Sequence, residues 1–267
     1  MKTLLFALFF ACLQSHAGTR VQFNGRVSPI AGDVTVPNFQ ALTDIEMDVA
    51  FDMHIHSIGI LQTNDQRPQL YFSDKDNGEG VLGYADFTDL LPIASSVGLQ
   101  TITVSHCRDY CDITLPFMNL GYVYALAGFK LEKNDGDFHI HRFGIESLGD
   151  YKLRAYLSDN GGEDEFTATI QYYWVAPGLH LTTTRKKISK ESKGLNDIEH
   201  NQTRLSTPGY YAYRFLRGFS FTFLNKDHHL RLLQSSIASG VASARLGDLN
   251  GLDPYVYTIN YVELTRK

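Results

Sequence analysis

The chain has 267 residues, 43% of them hydrophobic, which is enough for one large core or two small ones. Its net charge of −5 argues against nucleic acid as a partner, because phosphate binding needs a clustered basic surface. No stretch approaches the roughly 20 apolar residues of a membrane-spanning helix, so no membrane span is expected.

Taken in chain order, residues 1–17 read as a secretory signal peptide. Met1-Lys2-Thr3 supplies a charge, Leu4 to Leu13 a short apolar run, and Ser15 and Ala17 the small residues before a cut. A lipoprotein signal at Cys12 fits poorly, since Phe9-Phe10-Ala11 precedes it. Residues 18–267 are then expected to form a single exported domain. In that setting Cys107 and Cys111 are read as a disulfide that fixes a turn, not as a metal or redox pair.

Directly after the signal, Val21, Phe23, Gly25 and Val27 fall on one face of a strand, with Arg20, Gln22, Asn24 and Arg26 on the other. No hairpin partner is signalled just behind it. Such a strand either forms an edge of its own domain or leaves to complete a neighbour's sheet, with alternate side chains filling successive pockets.

Further on, Ile45, Met47, Val49, Phe51, Met53 and Ile55 alternate with polar residues, the mark of a half-buried strand. Phe166, Ala168, Ile170, Tyr172 and Trp174 repeat the pattern. Strands are also expected at 99–105, 121–131, 138–145, 151–157, 179–184, 210–224 and 255–262, separated by Asn, Asp, Gly and Pro turns. Two segments, 83–95 and 235–246, read as short helices, the second equally as a loop lying across the sheets. Arg185-Lys186-Lys187, with Lys190 and Lys193, is expected as an exposed loop or hairpin tip. The fold class is therefore all-β, a sandwich with inserted short helices.

Catalytic signatures are absent: no G-x-S-x-G, P-loop or dinucleotide glycine pattern occurs. Counted from Asp74, the acidic stretch Ser73 to Gly80 puts Gly78 fifth and Glu79 sixth, out of register for a calcium loop. Two H-x-H segments, His54-Ile55-His56 and His139-Ile140-His141, could each present two imidazoles on one strand face to a metal ion. The face of the first segment also carries Asp44, Glu46 and Asp48, the polar side of an ordinary amphipathic strand, so these histidines need no ion and no metal site is expected. The residues indicate no enzyme and no cofactor. A metal-dependent enzyme and a self-contained carbohydrate-binding sandwich, with Trp174, Tyr172 and Tyr173 as a stacking platform, are the alternatives.

Phe23-Asn24-Gly25-Arg26-Val27, followed by Gly32-Asp33-Val34-Thr35, resembles the mature start of kappa-class chaperone–usher fimbrial subunits, the family of enterotoxigenic pili. Ser243-Ala244-Arg245-Leu246-Gly247-Asp248-Leu249 and the aromatic strand ending at Tyr261 are similar to the end of such subunits. The resemblance covers about the first 40 mature residues and the last 30. It implies an incomplete immunoglobulin-like sandwich completed by donor-strand exchange, with Val21, Phe23, Gly25 and Val27 as the donor. Tyr255, Tyr257, Ile259 and Tyr261 would line the acceptor groove and engage a periplasmic chaperone. It further implies an outer-membrane usher, neighbouring subunits and a host glycan receptor as partners, and a surface fimbrium serving adhesion as location. Glu263 to Lys267 and the cysteine pair fit a minor subunit best.

Overall fold

The computed structural model describes residues 18–74, 80–91, 93, 98–116, 121–136, 139–159, 161, 165–193, 202–205, 212–225, 228–238, 240–247 and 253–267. Residues 1–17, expected above as a signal, and residues 75–79 of the acidic stretch after Ser73 lie outside them. Among the described residues eighteen strands, numbered in chain order, form two antiparallel sheets. The six-stranded sheet runs β1 (Thr19–Gly25), β6 (Val81–Asp89), β3 (Gln40–Met53), β16 (Leu230–Ser236), β17 (Val241–Gly247), β14 (Gln202–Arg204). The twelve-stranded sheet starts β13 (Leu181–Ser192), β18 (Tyr255–Arg266), β15 (Ala212–Phe223), β10 (Arg142–Ser147), β11 (Lys152–Ser158), β8 (Tyr110–Thr114). It continues β7 (Gln100–Arg108), β12 (Glu165–Val175), β9 (Val123–Lys133), β4 (Ser57–Gln62), β5 (Pro68–Ser73), β2 (Ile30–Ala31).

Alternating apolar side chains turn both sheets toward one core. Ile45, Met47, Phe87 and Leu233 of the smaller sheet join Phe129, Ile145, Phe219 and Tyr257 of the larger in a continuous buried cluster. A second cluster, containing Val123, Tyr173, Phe215 and Val262, covers part of the large sheet's other face. β12 spans both. It alternates as far as Ile170, then buries successive residues from Gln171 onward, where a bulge shifts its register against β9. At that bulge the Gln171 side chain acts as a surrogate peptide. Its Oε1 accepts from Gln62 N at 2.6 Å and its Nε2 donates to Gln62 O at 2.8 Å. The buried amide is thereby satisfied.

Several expectations are corrected. The all-β architecture holds, but no helix occurs among the described residues. Residues 83–89 of the first segment lie in β6, where Ala85 and Phe87 face the core, and 92, 94 and 95 lie outside the described residues. Segment 235–246 supplies the end of β16 and most of β17, with Ala242, Ala244 and Leu246 buried. The basic run is not a loop: Arg185, Lys186, Lys187 and Lys190 lie in β13, which pairs only with β18. Lysines on an edge strand oppose pairing with another chain. Trp174 is 1% exposed, packed edge-on to Tyr172, and Tyr173 is buried too. These rings are core, and no sugar platform can form from them. The disulfide Cys107–Cys111 is present, with Cα atoms 5.2 Å apart. It spans the tight β7–β8 hairpin, whose His106 and Asp109 take positive φ.

Candidate functional site

Among the described residues β1 has a single ladder partner. It pairs antiparallel with β6 from Thr19↔Phe87 to Gly25↔Val81 and forms the edge of the smaller sheet. Val21 and Phe23 point inward and are 0% and 2% exposed. At about 1.5–3 kcal/mol for each large apolar side chain removed from water, these two residues seat the strand. A side chain at Gly25 would meet Ile30 at 3.1 Å, so glycine fits where the wall is close. Val27 departs from the expected set: the strand ends at Gly25 and Val27 is 67% exposed. The chain turns there, through the cis peptide Ser28–Pro29, toward β2 in the other sheet.

The outer edge of β1 is partly covered. Asp33 Oδ1 accepts from Gln22 N at 2.7 Å, and Asp33 N donates to Gln22 O at 3.1 Å. One residue thus caps the middle of the strand on the side away from β6. On the solvent face, the Arg20 guanidinium grips Asp86 in two-fold fashion at 2.7 and 2.6 Å and lies 4.2 Å over the Tyr84 ring. Both groups of this ion pair reach solvent, so it contributes at most about 1 kcal/mol.

Beneath Arg20, Tyr84 ties the strands together. Its hydroxyl faces Asp44 Oδ2 and Glu46 Oε2, each at 3.4 Å, and accepts from Gln234 Nε2 at 3.1 Å. Asp44 is buried, and burial pushes its carboxyl from 3.8 up to about 7, with help from the charges of Asp86 and Glu46 and against a hydrogen bond from Ser236. The folded chain therefore keeps this proton between pH 3.8 and about 7, where the unfolded chain releases it. Stability from this group is fully present below that interval and falls as pH rises through it. Asp44→Asn should remove the decline and stabilise the chain above pH 7 by on the order of 2 kcal/mol. Urea unfolding at pH 5 and pH 8 checks this, and a less stable variant at pH 8 contradicts it.

Tyr255, Tyr257, Ile259 and Tyr261 do not border an open groove. They lie in β18, which is paired on one side with β15 and on the other with β13. All four are buried, and the strand is interior to the larger sheet. β18 therefore has no free edge among the described residues, whereas β6 is the strand that carries β1.

The H-x-H segments also separate. β3 ends at Met53 and β4 begins at Ser57, so His54 and His56 sit in a link between strands and do not share a strand face. His56 Nδ1 is 2.6 Å from Gly136 O, and its ring approaches Glu132. His141 lies just before β10, half-buried. His54 and His139 instead converge with His229, just before β16. Their imidazole nitrogens, one from each, all lie within 4.8 Å of one another.

No known protein family model matches the chain, and no curated protein matches it.

Proposed function

We propose that this chain is an exported subunit, structural or adhesive, of a cell-surface filament, and that β1 is the element by which copies join. The observation that carries this reading is topological. β1 stands at the start of the domain, is held by one ladder, and inserts Val21 and Phe23 into the core of the smaller sheet. A strand so placed can be withdrawn without breaking any other ladder, and the vacated β6 edge can accept the same strand from another copy. Exchange of an identical element changes few contacts, so the closed and the linked forms differ little in energy.

In this reading the acceptor is β6 and the apolar floor beneath β1, while β18 serves as internal scaffold. A withdrawn β1 leaves an apolar groove with unpaired backbone groups, which aggregates unless covered. A periplasmic chaperone would cover it until an outer-membrane usher passed the subunit to its neighbour. The F-N-G-x-V start, with Phe23 and Gly25 in the seated positions, supports the kappa-class fimbrial resemblance. An adhesive role would add a host glycan receptor.

The test is removal of Thr19–Gly25 behind an intact signal in the native cell. The shortened chain should be exported and be missing from high-molecular-mass surface material. Full-length polymers built from it would refute the proposal.

A further inference from the structure

Three histidines from three distant connections meet at one place on the surface. His54 lies between β3 and β4, His139 between β9 and β10, and His229 between β15 and β16. Backbone pairing puts them there. The β3–β16 ladder closes at Met53↔Leu230, so the next antiparallel step sets His54 beside His229. A two-way bridge joins Ile140 and His228, with N–H···O distances of 2.8 and 2.9 Å, so the step beyond it sets His139 beside His229. His139 Nε2 and His229 Nε2 are 3.0 Å apart. The His54 ring centroid lies 4.6 Å from each of the other two, and those two are 4.4 Å apart.

We infer that His54, His139 and His229 form a binding site for one divalent transition-metal ion of the imidazole-preferring class, zinc, copper or nickel. Tetrahedral ligands about 2.0–2.1 Å from such an ion stand roughly 3.3 Å from one another. One pair of histidine nitrogens stands 3.0 Å apart and all three lie within 4.8 Å of one another, so ring rotation toward a shared ion has to close the remainder. Neutral imidazoles suit these ions and not magnesium or calcium, which take oxygen donors. Three protein ligands leave a coordination position open, and the exposure of His54 and His139 turns it to solvent. A water molecule or a donor from another molecule fits there.

The position gives the ion a mechanical consequence. The β3–β4 link carries the chain from the smaller sheet to the larger, and the β15–β16 link carries it back. An ion held by His54 and His229 joins both crossings, and His139 ties them to the β9–β10 connection. Binding to the folded chain alone then stabilises it by mass action. This site is separate from β1 and stands whether or not strands exchange.

The test uses untagged mature chain, stripped of metal and titrated with Zn²⁺ and with Co²⁺. One ion per chain should bind, raise the melting temperature and give the intense visible bands of tetrahedral Co²⁺. His139→Ala and His229→Ala should each weaken Zn²⁺ binding about a hundredfold or more. His56→Ala and His141→Ala should leave it within about twofold, as residues outside the cluster. Unchanged metal-free melting establishes that each variant folds, and His54→Ala serves in place of one that does not. Undiminished affinity in His229→Ala, or an equal loss in His56→Ala, overturns the assignment.

Discussion

Replacing Phe23 by alanine is expected to release β1 while leaving the two sheets folded. Phe23 is 2% exposed and, with Val21, is the main apolar hold on a strand that has a single ladder. Truncating a buried phenylalanine costs about 3–5 kcal/mol, the removed transfer energy plus the cavity left behind. In an interior strand that loss would be charged to the whole fold. At a sheet edge it falls on a local opening, because β3 and β6 keep their own ladder of nine register pairs without β1. Amide exchange should therefore quicken at least about a hundredfold over Thr19–Gly25 and their partners in β6, with little change in β9 or β15. A peptide spanning Thr19 to Val27, added in excess, should restore protection to the β6 amides. Uniform acceleration through both sheets would mean that β1 is an integral part of the fold and not a separable strand.

The largest loss of stability is expected at Gly59, in β4 near the middle of the larger sheet's far half. Its φ is +152°, and a Cβ built there would lie against the Phe129 carbonyl oxygen and 2.7 Å from the Lys130 Cα. Both are backbone atoms of the paired strand β9, so neither can swing away as a side chain would. Gly59→Ala must separate two strands or twist its own backbone, and overpacking together with strain costs about 3–5 kcal/mol. That is a large part of the 5–15 kcal/mol typical of a folded protein. Gly80→Ala provides the control, since nothing lies within 4 Å of its added carbon. Thermal melting should drop steeply for the first and stay within about 0.5 kcal/mol for the second. Equal melting would contradict the strand geometry.

The strands were most legible where large apolar residues contrast with polar ones. Ile45, Met47 and Val49 announce β3, and Phe166, Ala168 and Ile170 announce the first half of β12. Contrast fails where the inward positions are small. β6 faces Gly83 and Ala85 toward the core, and its Asp86 and Asp89 mimic the acidic first turn of a helix. β17 buries Ala242 and Ala244, so it reads as a small-residue helix or loop. β13 carries its basic residues on an edge, where charge protects the strand and hides it at the same time. Gln171 sits opposite the apolar stripe of Ile170 and Tyr172, yet the bulge turns it inward.

The site residues follow the same logic. Val21 and Phe23 were legible because two-residue periodicity is local. Val27 was not, because the turn after Gly25 ends the strand two residues earlier. His54 and His139 were singled out for their spacing to His56 and His141, whereas the structure pairs them through strand register. Register between β3 and β16, some 180 residues apart in sequence, is a long-range property that no short motif encodes. His229 is the residue that reasoning from spacing missed. Its only local signal was the run Asp227-His228-His229 after a turn.

The claim on which the functional account rests is that β1 of one copy can occupy the β6 edge of another. Asn24 and Leu82 are register partners across β1 and β6, and both are exposed. One preparation would carry Asn24→Cys and a second Leu82→Cys, the two being unfolded, mixed, refolded together and oxidised. Strand exchange predicts a covalent pair containing one chain of each kind, in register, at a yield that rises with protein concentration. Monomers alone from that mixture, while a single chain carrying both substitutions closes its own bond completely, would contradict it.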